Sequence, residues 1–276
     1  MRYREYLRDK LADKIPADAV LPSGFHLVGY VALVHIKNDL MEHAKSLGEA
    51  TLEFDGRIQS VAVKTGPTVG VERSPSYVVV AGKKETVTTH IEGGIKYKVD
   101  PLQLTFSGGN KKERIRMASL VQPDDEVLDM FACVGQFSLP MAKKSKARVH
   151  AIEINPLAFG FLVENIQLNS LSGRVTVVLG DCSKLHPINQ VDRVVMGYLH
   201  DTHRYLRHAL QALVEEGGNV HMHIALQPKR LAEISGIISK TCLREGYRPR
   251  IRIRTIKEYA PNVQHYVFDI DVKGKG

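Results

Sequence analysis

The order of apolar and polar positions divides the chain into two parts with different predicted secondary structure. In the first part, helical spacing over residues 1–15 and in DLMEHAKSLGEA predicts two helices. The predicted strands are 27–36, 58–64 and a run from Tyr77. Val, Ile and Tyr then alternate with polar residues around Glu92-Gly93-Gly94, which is typical of a hairpin with a glycine turn. We therefore predict a small mixed α/β module over residues 1–100.

From Pro101 onward, short apolar runs typical of buried strands alternate with segments of helical periodicity. The predicted strands are EVLDMFA, ARVHAIEI, RVTVVLGD, VDRVVMGY and NVHMHIAL. Such alternation produces right-handed crossovers and a doubly wound parallel sheet. Two extended segments end the chain with no helix between them, so we expect the last strand to run antiparallel to its neighbour. Residues 101–276 are therefore predicted to form one Rossmann-like α/β domain.

Composition limits the class of protein. No apolar run approaches the roughly 20 residues that a membrane span requires. The N-terminal segment also lacks the continuous apolar core of a secretory signal, and we expect a cytoplasmic protein without membrane contact. The three cysteines form no C-x-x-C pair, and His221-x-His223 has no third ligand at metal-site spacing. We therefore predict no disulfide framework and no metal.

The charge balance indicates a polyanionic partner. The chain has a formal net charge of +8. Clustered Lys and Arg bind nucleic acid by displacing counterions from its phosphates. A basic surface without such a partner is the alternative interpretation.

Four stretches are predicted to meet at the carboxyl ends of the central strands, where open parallel sheets bind ligands. They are Phe131 to Gly135, Glu153, Gly180-Asp181-Cys182 and Met196-Gly197-Tyr198. Small residues in the first stretch allow close approach to a ligand, Glu153 is placed to accept ribose hydroxyls, and Asp181 is placed to accept from an adenine amine. Each stretch alone has a simpler interpretation, since a strand-end glutamate is often a surface charge and a Gly-Asp pair is often a turn.

The order of these stretches favours an adenosine site without a diphosphate. The Gly-x-Gly-x-x-Gly pattern of dinucleotide-binding enzymes is missing, because Ala132, Gly135 and Ser138 do not reproduce it. S-adenosylmethionine has no diphosphate to bind. It is therefore the predicted cofactor, acting as a co-substrate.

Three segments carry a resemblance to a known family: LDMFACVGQFSLPMA, AIEINPLAFGFLVENIQLN and TFSGGNKKERIRMA. They are similar to the archaeal and eukaryotic enzymes that modify the purine 3′ to the tRNA anticodon. This family contains the guanine-N1 methyltransferases and the wybutosine aminocarboxypropyltransferases. The resemblance covers residues 85–275 and is faint over 1–84.

Two positions favour the aminocarboxypropyltransferase branch. The chain has Met196-Gly197-Tyr198 followed by Thr202-His203, where the methyltransferases carry Asn-Leu-Pro. It also has Ser107-Gly108-Gly109, where the methyltransferases carry Ser-Pro-Arg. The resemblance implies transfer of the 3-amino-3-carboxypropyl group of S-adenosylmethionine to carbon 7 of 4-demethylwyosine at position 37 of tRNA-Phe, with release of methylthioadenosine.

The same resemblance assigns the site residues. It implies cofactor binding by Ser107, Arg114, Phe131, Gly135, Glu153, Asp181 and Cys182. The residues expected to contact tRNA follow from charge pattern instead: alternation places four arginines on one strand face, although a solvated sheet face explains that alternation too, and two lysines extend the basic surface. They are Arg248, Arg250, Arg252, Arg254, Lys111 and Lys112. The residue that accepts the proton leaving the base is not identified, and His203, His200 and Glu113 are candidates.

Two other functions stay open at this point. One is guanine-N1 methylation at the same tRNA position by a chain that has lost the signature residues. The other is tRNA binding without catalysis. The expected partner in all three cases is tRNA, and the sequence gives no sign of an obligate protein partner.

Overall fold

The computed structural model describes residues 1–70 and 74–274, which divide into two compact units, Met1–Gly108 and Gly109–Gly276. The boundary predicted from the sequence lies after residue 100. Each unit is described by itself below. Within the described residues, no helix has both the length and the apolar character needed to cross a membrane.

Among its described residues, the first unit contains two α-helices and two small sheets. Its helices are α1 (Tyr3–Lys10) and α2 (Ala44–Phe54), and its strands are β1 (Phe25–Val28), β2 (Val31–Val34), β3 (Ser60–Val69), β4 (Ser74–Gly82), β5 (Thr88–Glu92) and β6 (Ile95–Val99). The first four strands form one sheet in the order β1-β2-β3-β4. The predicted hairpin around Gly93 and Gly94 is confirmed, because β5 and β6 pair antiparallel across these two positive-φ glycines.

The single strand predicted over residues 27–36 is wrong. The segment instead forms the antiparallel pair β1 and β2, with Val28 opposite Val31 and a turn at Gly29 and Tyr30. Gly29 has a φ of +57°, a conformation that glycine adopts without strain. The apolar run crosses this turn without interruption, so periodicity alone gave no sign of it.

The second unit is a seven-stranded sheet with helices on its faces. Its helices are α3 (Lys111–Leu120), α4 (Ser138–Ser145), α5 (Pro156–Leu168), α6 (Cys182–Leu185), α7 (Leu206–Ala212) and α8 (Leu231–Arg244). Its strands are β7 (Glu126–Asp129), β8 (Arg148–Glu153), β9 (Val175–Leu179), β10 (Arg193–Met196), β11 (Gly217–Leu226), β12 (Arg248–Ala260) and β13 (Val263–Lys273).

The strand order in this sheet is β12-β13-β11-β10-β7-β8-β9. The five neighbouring strands β11, β10, β7, β8 and β9 pair in parallel. Strand β13 pairs antiparallel with both β11 and β12. The predicted parallel sheet with an antiparallel last strand is therefore confirmed. The chain leaves β7 in one direction toward β8 and later returns to β10 on the other side, so the carboxyl ends of β7 and β10 mark the switch point where ligands bind in such sheets.

One face of the sheet is covered by an apolar core. Buried residues of β10 and β11, such as Val194 and Met222, pack in one cluster with residues of α7 and α8, such as Leu210 and Ile238. This packing holds β10 and β11 in place and fixes the position of the strand ends beside the switch point.

A largely buried ionic network lies on the sheet next to α3. The Arg116 guanidinium donates to both carboxylate oxygens of Asp269, each at 3.0 Å, and to the carboxylate of Glu113. Asp269 Oδ1 lies 2.6 Å from His221 Nδ1, and His221 Nε2 lies 2.7 Å from Arg193 Nη1. Because the arginine can only donate, His221 accepts at Nε2 and donates from Nδ1 to Asp269. The network links α3 to β13, β11 and β10.

Candidate active site

The loop after β7 begins the site at the switch point. Met130 N donates to Val195 O at 3.0 Å, and Ala132 N donates to Ile152 O at 3.0 Å, so the chain stays bonded to both neighbouring strands as it leaves the sheet. It then turns through Cys133, with a φ of +49°, and Gly135, with a φ of +92°. The predicted strand, small-residue turn and helix over residues 128–140 therefore form a tight connection into α4.

Gly135 is constrained by its conformation and by its surroundings. A Cβ at this position would lie 2.6 Å from Leu139 Cγ and 3.0 Å from Leu162 Cδ1. Both neighbours are fully buried and cannot move away. The structure therefore gives Gly135 a backbone role in shaping the predicted cofactor loop.

We expect Gly135→Ala to lower the free energy of unfolding by about 2 kcal/mol, because it adds both a disfavoured φ and a core clash. Gly160→Ala is the matched control, since Gly160 lies in α5 with no atom within 4 Å of a Cβ placed there. The control should gain roughly 0.5–1 kcal/mol from helix propensity. Urea denaturation of both variants measures the difference, and equal stabilities would contradict the assigned role.

Asp129 ties the two ends of this loop together, a role that the sequence analysis did not identify. Its Oδ2 accepts from Ser138 Oγ at 2.6 Å and its Oδ1 accepts from Phe131 N at 3.3 Å. Burial raises the pKa of Asp129 to about 6, and these hydrogen bonds act against the rise. The available signal was an acidic residue at the end of a strand immediately before the small-residue loop.

Glu153 lies at the end of β8 with 9% of its surface exposed. Its Oε2 accepts from Cys133 N at 2.6 Å and its Oε1 accepts from Asn155 N at 2.7 Å. Burial raises the pKa of Glu153, and the two backbone donors oppose that rise. A carboxylate has about four acceptor positions, so Glu153 can hold the loop and still accept from two hydroxyls of a ligand.

Asp181 lies between β9 and α6. Its Oδ1 accepts from Ser183 N at 2.9 Å and from Ser183 Oγ at 2.8 Å, and these bonds lower its pKa. Asp181 is therefore the N-cap residue of α6, in addition to the turn that a Gly-Asp pair commonly forms. Among the residues that the structure describes, none donates a hydrogen bond to Oδ2, so this oxygen is available for an amine donor of a ligand.

Exposed apolar side chains lie beside these two carboxylates, and sequence reasoning did not single them out. Ile154 directly follows Glu153 and is 43% exposed, and Leu185 in α6 is 45% exposed. The Leu185 side chain lies over Gly180, where a Cβ would be 2.5 Å from Leu185 Cδ1. Apolar surface next to ribose and amine acceptors matches the chemistry of an adenosine, whose ring is flat and largely apolar.

The end of β10 carries an aromatic cluster. Tyr198 stacks on Phe131 with ring centroids 5.3 Å apart and an interplanar angle of 25°, and Tyr205 meets Phe131 edge to face at 5.2 Å. Gly197 lies against Phe137, whose ring would be 3.2 Å from a Cβ at this position. All three clustered aromatic side chains are partly exposed. Partly exposed aromatic rings beside a cofactor site can stack on a nucleobase.

The three candidate proton acceptors have different surroundings. Glu113 is buried and both of its carboxylate oxygens accept from Arg116. His203 lies in a short 3₁₀ helix, Thr202–Tyr205, and its buried Nδ1 has no hydrogen-bond partner among the described residues. Burial lowers the pKa of His203, which keeps its imidazole neutral. His200 Nε2 lies 3.2 Å from the Tyr259 hydroxyl.

Arg114 lies against the loop after β7. It is 1% exposed, and its Nη1 donates to Gln136 Oε1 at 3.3 Å. Arg114 is therefore adjacent to the predicted cofactor loop.

The two remaining predicted cofactor residues are Cys182 and Ser107. Cys182 directly follows Asp181, and its thiol is buried. Ser107 belongs to the first unit.

Neither cysteine of these loops is a nucleophile. Burial raises the pKa of Cys133 to about 12, with the charge of Glu153 adding to the rise. Burial also raises the pKa of Cys182 to about 12. Both thiols stay protonated at neutral pH, whereas a nucleophilic cysteine acts as thiolate. Among the described residues, no cluster of three or more His, Cys, Asp or Glu side chains is arranged to hold a metal ion.

The predicted tRNA-contacting residues are on the surface. Arg248, Arg250, Arg252 and Arg254 alternate along the edge strand β12, and all four are exposed. Their cross-strand neighbours place them on one face, and none makes an ion pair with another described residue. Lys111 and Lys112 are exposed at the start of α3. Cationic and acidic residues nearly balance in residues 1–108, so almost all of the net charge of +8 belongs to the second unit.

A cavity of about 790 Å³ lies within the first unit. Leu27, Tyr30, Arg57, His90 and Lys98 are among the residues that line it. None of the predicted site residues belongs to its lining, so the cavity is separate from the loops at the switch point.

Comparisons with known proteins agree with this geometry. The TRM5/TYW2 methyltransferase domain matches residues 88–241, and the TYW2 N-terminal domain matches residues 7–86. The chain is 36% identical over 270 residues to the tRNA(Phe) (4-demethylwyosine(37)-C(7)) aminocarboxypropyltransferase of Pyrococcus horikoshii, an alignment covering 96% of each protein. It is 34% identical over 203 residues to the tRNA (guanine(37)-N(1))-methyltransferase Trm5b of Pyrococcus abyssi, covering 74% of this chain and 60% of that protein.

A solved structure extends the comparison to three dimensions. The crystal structure of P. horikoshii TYW2 in complex with MeSAdo has a TM-score of 0.84 to this chain at 34% sequence identity. The superposition covers 98% of this chain and 99% of that chain. The similarity therefore includes both units.

Proposed function

The chain belongs to the family defined by the TRM5/TYW2 methyltransferase domain, and from this premise we propose that it is an aminocarboxypropyltransferase acting on tRNA. It transfers the 3-amino-3-carboxypropyl group of S-adenosylmethionine to carbon 7 of 4-demethylwyosine at position 37 of tRNA-Phe. The observation that carries the proposal is the 36% identity to a protein of this name over 96% of both chains. The match to Trm5b covers 60% of that protein, which makes methyl transfer the weaker alternative. The substrate implies a location in the cytoplasm.

The loops at the switch point fit the adenosine part of S-adenosylmethionine. Glu153 provides carboxylate oxygens for the ribose hydroxyls, and Asp181 provides an oxygen for the adenine amine. Ile154 and Leu185 offer apolar surface for the adenine ring. The loop containing Phe131 and Gly135 then passes close to the sulfur end of the molecule.

The bonds formed and broken in the transfer are accounted for by S-adenosylmethionine and the base alone. S-adenosylmethionine supplies an activated carbon next to its sulfonium. The new bond joins carbon 7 of the base to the γ-carbon of the amino acid arm, the bond from that carbon to sulfur breaks, and methylthioadenosine leaves. The proton on carbon 7 is lost, which restores the aromatic ring. The protein determines the outcome by position, because several carbons of the cofactor are open to attack.

Residues at the end of β10 are suited to the target base. Tyr198 and Phe131 form a stacked, partly exposed pair, and exposed aromatic rings of this kind can stack on a base. His203 is the better candidate for the proton acceptor, because its neutral ring has an unpartnered nitrogen. Glu113 is engaged by Arg116 on both oxygens.

Product analysis with labelled cofactor tests the proposal. With tRNA-Phe carrying 4-demethylwyosine, S-adenosylmethionine labelled in its carboxyl carbon should label the tRNA, and cofactor labelled in its methyl group should not. The methyl label should appear in methylthioadenosine. Methyl label in the tRNA would instead support the methyltransferase alternative, and tRNA binding with neither label would support binding alone. The matched control is the same tRNA with unmodified guanine at position 37.

We propose that the four alternating arginines of β12, Arg248, Arg250, Arg252 and Arg254, contact tRNA phosphates; they are called the arginine row. We expect Arg250→Ala and Arg252→Ala each to reduce the slope of log affinity against log salt concentration by about 1, since each removes one phosphate contact. Arg244→Ala, which changes an exposed arginine at the end of α8, is the control and should leave the slope unchanged. Filter binding over a range of salt concentrations measures the slopes. Equal slopes for the wild type, the two test variants and the control would show that the arginine row does not contact tRNA.

A further inference from the structure

One lysine outside the predicted site residues lies against Gly109, just before α3. Lys257 is in β12, which runs antiparallel to β13 and therefore in the same direction as the parallel strands. Its C-terminal end is consequently at the sheet edge that carries the candidate site. A register shift between Thr255 and Lys257 interrupts the alternation of the arginine row and places Lys257 opposite His265.

The Lys257 side chain is held in a defined place by a glycine. A Cβ at Gly109 would meet Lys257 Nζ, and it would lie 3.1 Å from Cδ and 3.3 Å from Cε. The end of the lysine therefore fills the space that any other residue at position 109 would occupy. Lys257 is half-buried in this arrangement.

Lys257 and Arg114 act on each other electrostatically, and Arg114 bonds to the cofactor loop. Burial lowers the pKa of Lys257, and the positive charge of Arg114 lowers it further. Arg114 in turn donates to Gln136 in the loop. Like charges that are partly withdrawn from water repel each other, and an anion bound near both would reduce that repulsion.

A second set of contacts connects Lys257 to the end of β10. His265 Nε2 lies 3.0 Å from His223 Nδ1, and the His223 ring lies 5.0 Å from the Phe137 ring, which packs against Gly197. Both histidines are at least nine-tenths buried, and His265 Nδ1 and His223 Nε2 have no hydrogen-bond partner among the described residues. Asn110 Oδ1, next to Gly109, is also buried without one. Unpartnered polar atoms in such a place indicate that a polar ligand or water completes the site.

We propose that Lys257, placed over Gly109 and within electrostatic reach of Arg114, forms an anion-binding site that takes a carboxylate or phosphate oxygen of the reactants. Two groups have this chemistry under the proposed function, on which the inference rests. One is the carboxylate of the amino acid arm of S-adenosylmethionine. The other is the backbone phosphate beside the target base. The buried acceptor Asn110 Oδ1 favours the first, because that arm carries an ammonium group next to its carboxylate.

The proposed site explains why glycine at position 109 matters for the position of Lys257. A side chain there would displace the ammonium group of Lys257 without changing any charge. The bound carboxylate or phosphate would then lie in a different place. As a result, a different carbon of S-adenosylmethionine would face the base.

Binding measurements with two variants and two ligands test the site. Lys257→Met removes the charge at similar length, and Gly109→Ala keeps the charge but moves it. For a carboxylate site, both variants should bind S-adenosylmethionine about tenfold more weakly, while affinity for methylthioadenosine, which lacks the arm, stays within twofold. For a phosphate site, both should lose tRNA affinity about tenfold at fixed salt, with both small ligands unaffected. Calorimetry and filter binding give these constants.

Controls separate the site from general effects. Lys240→Met, on the exposed surface of α8, removes the same charge elsewhere and should change none of the constants. Lys257→Arg should restore most of the lost affinity. Unchanged constants in both test variants, or equal losses for S-adenosylmethionine and methylthioadenosine, would overturn the proposal. Because binding is measured without turnover, failure of the proposed transfer reaction would show separately, as wild-type protein that does not label tRNA.

Discussion

Asp269→Asn is expected to lower the free energy of unfolding by about 3 kcal/mol, because it removes the anion from a largely buried charge network. The carboxylate accepts from Arg116 at both oxygens and from His221, so its loss leaves His221 without a charged partner and removes one of the two carboxylates that pair with Arg116. Urea denaturation at neutral pH measures the change.

The pH dependence provides a second measurement of the same interaction. Burial acts to raise the pKa of Asp269, but hydrogen bonds from His221 and Arg116 outweigh it and lower the pKa to about 2. A carboxyl whose pKa is lower in the folded state stabilises the protein above its unfolded value near 4. That contribution disappears as the pH falls from about 4 to about 2. The stability difference between wild type and Asp269→Asn should therefore shrink across this window.

Asp271→Asn is the matched control. Asp271 lies two residues further along the same strand, is exposed, and makes no ion pair with another described residue. Its replacement should change stability by less than about 0.5 kcal/mol. Equal effects at the two positions would mean that the network contributes no more than a surface charge does.

The fold of the second unit could be predicted because its signals are local. Apolar runs, helical periodicity and turn residues follow each other in an order that allows few topologies. The absence of a helix between β12 and β13 was enough to predict the antiparallel last strand. In the first unit the same signals failed at Gly29, because a two-residue turn inside an apolar run leaves the hydrophobic pattern unbroken.

The candidate site was predictable only in part, because only some of its features have local signals in the sequence. Glu153 and Asp181 could be proposed because each lies at or just after the end of a recognisable strand. The pairing of Arg116 with Asp269 joins residues 153 positions apart, and no local pattern in the sequence indicates it. Lys257 lies beside Gly109 only because of the register shift in β12, and Ile154 is notable only for its exposure. Contacts and exposure arise from the packing of distant segments.

The distribution of charge also depends on the structure. The net charge of +8 indicated a polyanionic partner but not where that partner binds. Because the first unit is nearly neutral, we attribute the long-range attraction of tRNA to the second unit. Recognition by the first unit would then depend on shape and on individual contacts.

Glu153→Ala is expected to weaken binding of both S-adenosylmethionine and methylthioadenosine by about 3 kcal/mol, a factor on the order of 100. The carboxylate would accept from two ribose hydroxyls while it holds Cys133 N and Asn155 N, and both functions are lost together. Both ligands contain the ribose, so both should be affected equally, in contrast to the Lys257 variants. Affinity for tRNA should stay nearly unchanged, since the site lies among the cofactor loops.

Loss of the loop anchor alone would also weaken binding, and a ligand with one hydroxyl removed separates the two causes. Wild-type protein should bind 2′-deoxy-methylthioadenosine at least tenfold more weakly than methylthioadenosine, because a buried carboxylate loses a charge-assisted partner. Glu153→Ala should bind the two ligands with nearly equal affinity, since it has no carboxylate to sense the hydroxyl. If the variant discriminates between them as strongly as wild type does, Glu153 supports the loop but does not contact the ribose. Calorimetric titration of the four combinations decides between these outcomes.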